Sequence, residues 1–128
     1  MHLTLHLTGR CNFRCRYCYA APHAGGEMTF ATATAAIALG RQALAQQRPD
    51  GSLGVIFFGG EPLLQRELIA CVVRHCRDLE AQTGQLFHFK ITTNGALLDE
   101  AFLTDPDTSD IFVALSHDGV APAHDAHR

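Results

Sequence analysis

Hydrophobic and polar positions along the chain follow two alternating periods. Residues 2–8 alternate between polar and apolar side chains over a length that is typical of a β-strand. A second stretch carries small and apolar residues at helical spacing: Phe30, Ala33, Ile37, Gly40 and Leu44. Thr29 can cap the start of this helix, and Pro49-Asp50-Gly51 can end it. The pattern therefore predicts a strand, a loop and a helix in that order.

The same order of elements then repeats. Leu53 to Phe58 is a continuous apolar run of strand length, which is typical of a strand covered on both faces of its sheet. Pro62 suits the first turn of a helix, and Gly84 suits a helix end. Helical spacing predicts that one side of this helix is formed by Leu64, Leu68, Val72, His75 and Leu79. A second strand and a second helix are therefore expected.

The remaining residues predict two further strands. Leu86 to Thr93 suits a third strand, a short helix is expected from about Asp99, and Ile111 to Ser116 suits a fourth strand. Asn94-Gly95 is also a common hairpin signal, but the residues after it favour a helix. Strands that alternate with helices indicate a parallel α/β sheet, here of about four βα units in a single domain over residues 1–128.

Composition narrows the class of protein. The chain has 128 residues, of which 47% are hydrophobic and 18% charged, as expected for one globular domain. The net charge is −3 and basic residues do not cluster, so nucleic acid is not an expected partner. Neither a signal peptide nor a run of about 20 apolar residues is present, so no membrane association is expected. These features predict a cytoplasmic protein with reduced thiols.

Four unusual motifs each follow a predicted strand. They are the cysteines of residues 11–18, Gly59-Gly60-Glu61-Pro62, Thr93-Asn94-Gly95 and Ser116-His117-Asp118-Gly119. Ligands in parallel α/β folds collect at the carboxyl ends of the strands. We therefore expect these motifs to meet at one edge of the sheet and to form one site.

The cysteine motif points to a metal centre with an open position. Cys11, Cys15 and Cys18 stand in a C-x3-C-x2-C spacing. A structural zinc site needs four ligands, and a disulfide framework needs an even number of cysteines. Three thiolates suit a centre that leaves one position for another ligand.

The motif after the second predicted strand suits contact with a ligand. Its residues Gly59 and Gly60 lack a Cβ atom, so their carbonyl groups can approach an ammonium group closely.

Taken together, these motifs resemble a known family. The stretches CNFRCRYC, FFGGEP, TTNG and SHDG, with a closing His-Asp-x-x-Arg, resemble the radical S-adenosylmethionine (radical SAM) enzymes. The similarity is greatest to the sulfatase-maturing and peptide-modifying branch with SPASM-type extensions. It implies a partial (β/α) barrel in which Cys11, Cys15 and Cys18 ligate three irons of a 4Fe-4S cluster. The fourth iron would bind S-adenosyl-L-methionine, whose reductive cleavage yields a 5'-deoxyadenosyl radical.

The resemblance also implies the residues that contact S-adenosylmethionine. Tyr17 would lie beside the adenine, Arg128 would hold the methionine carboxylate, and Glu61 would add negative charge near the amine. The full set of expected cofactor contacts is Tyr17, Gly59, Gly60, Glu61, Pro62, Asn94, Ser116, Asp118 and Arg128. His117 departs from the family, which usually has an aliphatic residue between that serine and that aspartate. His117 therefore implies a more polar wall or an altered strand end between Ser116 and Asp118.

The length sets a limit on this interpretation. Since an eight-unit barrel takes about 250 residues, 128 residues suit about four units, whereas the family's barrel has about six. We therefore expect the N-terminal portion of a larger radical SAM core domain. The resemblance implies a peptide or protein substrate and an electron donor such as flavodoxin or ferredoxin. The alternatives are a non-enzymatic iron–sulfur or zinc-binding module and an inactive truncated remnant.

Two cysteines lie outside the motif. Cys71, His75 and Cys76 fall in the second predicted helix, where residues four apart share a face and could in principle bind a metal. A buried cysteine more often behaves as a small hydrophobic residue. We therefore expect no second metal site in this helix.

Overall fold

The protein forms a parallel four-stranded sheet. A computed structural model describes residues 1–19 and 25–128. The strands are β1 His2–His6, β2 Leu53–Phe58, β3 Phe87–Thr93 and β4 Phe112–Leu115. They lie in the order β1-β2-β3-β4, so each strand is next to the strand that precedes it in sequence. The predicted partial barrel of about four parallel βα units is confirmed.

A helix follows each strand. The helices are α1 Phe30–Gln47, α2 Arg66–Thr83, α3 Glu100–Thr104 and α4 Ala121–His127, and a short 3-10 helix, Pro62–Gln65, precedes α2. The first three were predicted. Helix α4 was not, because it buries none of its residues and so has no apolar stripe.

The helix ends form where their capping residues predict. Thr29 Oγ1 accepts a hydrogen bond from the Thr32 amide at the start of α1 (3.1 Å), and the Asp99 carboxylate accepts one from the Phe102 amide at the start of α3 (2.9 Å). Gly84 ends α2 in the left-handed conformation with φ +74°. Pro62 is the first residue of the 3-10 helix. Local sequence therefore determines where these elements start and end.

The two faces of the sheet differ. One face packs on α1 and α2 and forms the core with residues such as Leu5, Val55, Phe57, Phe89 and Ile91. The other, here called the open face, carries the alternate strand residues: His2, Thr4, His6, Gly54, Ile56, Phe58, His88, Lys90, Thr92, Phe112 and Ala114. Because the strand order never reverses, right-handed crossovers place successive helices on the same side. The sheet is an arc with its helices outside.

The apolar stripe of α2 differs from the prediction. Its buried residues are Ile69, Val72, Val73 and Cys76, whereas Leu64 is exposed and His75 only half-buried. The 3-10 helix before α2 turns at about three residues per turn, which shifts the phase of the stripe by about one residue. Phe30, placed in the α1 stripe, is also exposed.

Cys76 is a core residue. It is fully buried, and this burial raises the pKa of its thiol to about 12. The expectation that it behaves as a small hydrophobic residue is confirmed.

None of the helices in residues 1–19 and 25–128 is long and apolar enough to cross a membrane.

Candidate functional site

A cavity of about 150 Å³ opens at the carboxyl ends of the strands. It is lined by Cys11, Phe13, Cys15, Tyr17, Cys18, Tyr19, Phe58, Gly59, Gly60, Thr92, Thr93, Asn94, Ser116 and Arg128. All four motifs contribute to this lining. Of the predicted site residues, Glu61, Pro62 and Asp118 are not part of this lining.

The three motif cysteines lie in the loop after β1. Their thiols are half-buried and free of disulfides. The Phe13 amide lies 3.4 Å from Cys11 Sγ, and the Cys18 amide donates to the Cys15 carbonyl at 3.1 Å, so short local hydrogen bonds shape the loop. Within the described part of the chain, no three Cys, His, Asp or Glu side chains converge on a position for a single metal ion.

The residues that follow β2, here called the exit of β2, hold the cysteine loop by backbone hydrogen bonds. The Gly60 amide donates to the Thr8 carbonyl and the Glu61 amide to the Arg10 carbonyl, both at 2.9 Å. A Cβ atom on Gly60 would lie 2.2 Å from the Arg10 oxygen, and one on Gly59, where φ is +145°, would lie 2.5 Å from the Thr8 oxygen. The glycines therefore permit close packing within the protein itself. Their contact with an ammonium group stays a prediction.

Glu61 is fully buried beneath the cavity. Its Oε1 accepts hydrogen bonds from the Leu63 amide at 2.9 Å and from Thr93 Oγ1 at 2.8 Å, and its Oε2 accepts from the Asn94 amide at 2.9 Å. The carboxylate therefore ties the exit of β2 to the exit of β3. Pro62 is also buried, where it starts the 3-10 helix.

Asn94 connects β3 to the cysteine loop. Its side-chain Nδ2 donates to Asn12 Oδ1 at 2.8 Å and lies 3.8 Å from Cys11 Sγ. Its Oδ1 accepts from the Ala96 amide at 3.0 Å, which fixes the orientation of the amide. Asn12 was not predicted as a site residue, and its position next to a motif cysteine was the only signal for it.

Tyr17, Asp118 and Arg128 form a cluster that we call the clasp. Arg128 Nε donates to Asp118 Oδ2 at 2.9 Å and its Nη2 to Oδ1 at 3.3 Å, while the Tyr17 hydroxyl donates to Oδ2. The guanidinium also lies 5.5 Å from the centre of the Tyr17 ring. The Arg16 amide donates to the His127 carbonyl at 3.0 Å, which adds a backbone link between the cysteine loop and α4.

The clasp changes the acidity of its members. Hydrogen bonds from Arg128 and then from Tyr17 hold the pKa of Asp118 below its usual range. The hydrogen bond to Asp118 raises the pKa of Tyr17, so the phenol stays protonated and donates. At neutral pH, the clasp is therefore a carboxylate held by a guanidinium and a phenol.

The residues that follow β4 have separate environments. The Ser116 amide donates to the Thr93 carbonyl at 2.8 Å, which extends the pairing of β4 with β3 to the cavity. His117 is exposed, accepts from the Gly119 amide at 3.1 Å and stacks on His124 with ring centres 4.7 Å apart. Of these residues, Ser116 lines the cavity and His117 does not.

Several lining residues were not predicted. Phe58 and Thr92 belong to the open face, two residues before Gly60 and Asn94, so strand alternation could have identified them. Tyr19 stacks on Phe58 with ring centres 6.5 Å apart, and Phe13 completes an apolar part of the wall. The cavity thus combines thiols, backbone groups and aromatic rings.

The residues present fit the cofactors implied by the resemblance. Thiolates are the usual protein ligands of iron–sulfur clusters. Cys71 and Cys76 both lie on α2, outside the cavity lining, so the cysteine loop supplies three thiols and not four. The aromatic wall, the β2 exit and the Arg128 guanidinium offer apolar, carbonyl and cationic contacts around that loop. This donor set suits a cluster with one iron left for another ligand.

Comparison with known proteins identifies the family of this fold. A model of the radical SAM superfamily matches residues 5–126. An uncharacterized protein of Methanocaldococcus jannaschii is 35% identical over 119 residues, which cover 93% of this chain and 39% of that protein. An S-adenosylmethionine-dependent nucleotide dehydratase of Selenomonas ruminantium is 28% identical over 123 residues, which cover 94% of this chain and 40% of that protein.

A solved structure has the same fold. It is native anSMEcpe with bound AdoMet and Cp18Cys peptide, with a TM-score of 0.79 and 25% identity. The match covers 99% of this chain and 34% of that one. The chain therefore spans about a third of that solved chain and two fifths of the two curated relatives named above.

Proposed function

Because the chain belongs to the radical SAM superfamily, a superfamily of enzymes, we propose that residues 1–128 are the N-terminal portion of a radical SAM core domain that cleaves S-adenosylmethionine reductively. Membership implies S-adenosylmethionine and a 4Fe-4S cluster as cofactors. The observation that carries the proposal is the set of three free, half-buried thiols around one cavity at the carboxyl ends of the strands.

Cys11, Cys15 and Cys18 would hold the cluster through their thiolates. Held there and reduced, such a cluster would supply the one electron needed to cleave a carbon–sulfur bond of S-adenosylmethionine, which would yield methionine and a 5'-deoxyadenosyl radical able to abstract a substrate hydrogen atom. The chain contributes an apolar part of the cavity wall, where Tyr19 stacks on Phe58, and such a wall would help to orient the cofactors.

The cavity lining suggests how S-adenosylmethionine is oriented. Tyr17 offers a ring for the adenine, while the Gly59 and Gly60 backbone offers acceptors for the amine. Arg128 has five N–H donors, and two of its nitrogens already donate to Asp118, so donors remain for the methionine carboxylate. Ser116 adds a hydroxyl in the same lining.

Several residues around the cavity have a positioning role in this proposal. Glu61, Pro62 and Asn94 hold the exits of β2 and β3 against the cysteine loop. Asp118 orients the lining residues Tyr17 and Arg128 through its hydrogen bonds to them. These residues position the groups that touch the cofactors.

A peptide or protein side chain is the first candidate substrate. Its support is that the solved structure of similar fold contains a bound peptide. The proposal includes a one-electron donor such as flavodoxin or ferredoxin. It also places the protein in the reducing cytoplasm, which agrees with the five free thiols at positions that the structure describes.

A nucleotide is the second candidate substrate. One relative is an S-adenosylmethionine-dependent nucleotide dehydratase, and the strands of the open face carry the positive charge of Lys90 and no acidic residue. That charge would suit a phosphate group.

Product analysis tests the proposed chemistry. The chain is reconstituted anaerobically with iron and sulfide, reduced with dithionite and given S-adenosylmethionine, and 5'-deoxyadenosine and methionine are followed by chromatography. We expect slow formation of both products, which Cys15→Ala abolishes and the matched control Cys71→Ala preserves. Iron loading without any product would support the non-enzymatic module or the inactive remnant, and stoichiometric zinc without iron uptake would support the zinc module.

A further inference from the structure

Lys90 has an unusual place in the fold. It is the only lysine of the chain and lies in the middle of β3, an inner strand of the sheet. Its neighbours Phe89 and Ile91 are buried against the helices, whereas Lys90 is exposed on the open face. Lysine is disfavoured in strands, so its presence at the centre of the sheet needs a reason.

The strands of the open face carry one positive charge, that of Lys90, and no negative charge. Their other titratable residues are His2, His6 and His88, which are neutral in the formal charge count. None of the 13 acidic residues lies in the four strands, although the net charge of the chain is −3. Among the residues that the structure describes, Lys90 takes part in no ion pair and no side-chain hydrogen bond. Its ammonium group thus has no anionic partner on the open face.

The position of Lys90 relates it to the cavity. Thr92, two residues further along β3, lines the cavity, so the two Cα atoms are about 6.7 Å apart along the strand. In the adjacent strands, Ile56 and Phe112 are paired with Lys90. Apolar neighbours support the aliphatic stem of a lysine and leave its ammonium group free to meet an anion above the sheet.

We propose that Lys90 binds an anionic group of the substrate, a carboxylate or a phosphate, and so selects substrates that present such a group beside the cavity. This inference rests on the proposed function, because a substrate of that chemistry must approach the cavity over the open face. An ammonium group suits this role since it is a compact charge with three donors.

The single lysine permits a direct test. Reductive methylation with 13C-formaldehyde labels only the Lys90 amine and the Met1 α-amine, and keeps both charges. The Met1 amine lies beside the Ser52 carbonyl (3.2 Å), at the far end of the sheet from the cavity, and serves as an internal control. The full chain as purified, without reductant or S-adenosylmethionine, is titrated with GTP or with the peptide N-acetyl-Gly-Glu-Gly-amide. Guanosine and the corresponding Gln peptide are the neutral counterparts.

We expect a saturable shift of the Lys90 methyl signal with one anionic probe, no shift with its neutral counterpart, and no parallel shift of the Met1 signal. The responding probe distinguishes a phosphate from a peptide carboxylate. In calorimetry with unmodified protein, Lys90→Gln should weaken binding about tenfold, the size expected for a charge-assisted hydrogen bond. Lys90→Arg should keep most of the affinity, and Arg48→Gln, an equal change of charge at the end of α1, should have no effect.

Three results would overturn the inference: no shift with either anionic probe, parallel shifts of both methyl signals, or wild-type affinity in Lys90→Gln. These results are separate from a failure of the proposed function. The titration needs neither electron transfer nor S-adenosylmethionine, whereas the product analysis needs no anionic probe.

Discussion

Replacing Glu61 by glutamine should loosen the junction beneath the cavity. In the protein, Oε1 accepts from the Leu63 amide and from Thr93 Oγ1, while Oε2 accepts from the Asn94 amide. A glutamine can keep one oxygen at the first position, but its NH2 group then faces the Asn94 amide. Two donors would oppose each other, and Asn94 would lose the bond that fixes its backbone.

The expected loss of stability follows from the burial of these groups. Leaving one donor at this junction unsatisfied costs about 1–3 kcal/mol, and repulsion between the opposed donors adds to that cost. Glu61→Ala would leave the buried Leu63 and Thr93 donors without their acceptor as well, for a total of about 3–9 kcal/mol over three donors. A domain of this size has a stability of about 5–15 kcal/mol, so the alanine variant should be close to unfolding.

Urea denaturation followed by circular dichroism measures this difference. The matched control is Glu67→Gln, the same chemical change at an exposed residue in the first turn of α2, with an expected loss below about 1 kcal/mol. The second readout is iron loading, which should fall in Glu61→Gln because Asn94 holds Asn12 of the cysteine loop. Equal urea midpoints for Glu61→Gln and Glu67→Gln would refute the reasoning.

Three further predictions concern single residues. Gly60→Ala should lower both the urea midpoint and the iron content, because its Cβ would lie 2.2 Å from a backbone oxygen. The control Gly26→Ala should change neither quantity, because its Cβ would have no neighbouring atom within 4 Å. Equal losses in the two variants would contradict this prediction. Cys76, with a pKa raised by burial to about 12, should resist iodoacetamide at pH 8 in the folded protein by mass spectrometry, and rapid alkylation would show that it is accessible. Asp118→Asn should destabilise the protein near neutral pH but not in acid. Because folding lowers the pKa of Asp118, its carboxylate contributes to the free energy of unfolding above about pH 4. That contribution is lost as the pH falls through the lowered pKa. A difference in urea midpoint that did not change with pH would argue against the ion pair.

The strand and helix positions were predictable because their signals are local. Alternation in residues 2–8, the apolar run before Gly59 and the caps at Thr29 and Asp99 each act within a few residues. The order of the motifs then placed the cavity at the strand ends. Helix α4 had no such signal, since it is held by contacts to the cysteine loop and not by an apolar stripe.

The roles of individual site residues were less predictable. Glu61 was expected to add charge near a ligand amine, yet its carboxylate is buried and bonded to residues up to 33 positions away. The sequence does not show which way a side chain next to two glycines points, because that depends on the neighbouring strand. The bond between Asn94 and Asn12, 82 positions apart, likewise depends on the sheet.

The central claim is that three thiolates hold a 4Fe-4S cluster and leave one iron for S-adenosylmethionine. The most direct measurement is electron–nuclear double resonance on the reduced, reconstituted chain with S-adenosylmethionine labelled with 15N at its amine. The account predicts a 15N hyperfine coupling to the cluster, which is absent when unlabelled S-adenosylmethionine is used, and no cluster at all in Cys11→Ala, Cys15→Ala or Cys18→Ala. A cluster that forms fully but shows no coupling to the labelled amine would contradict the claim.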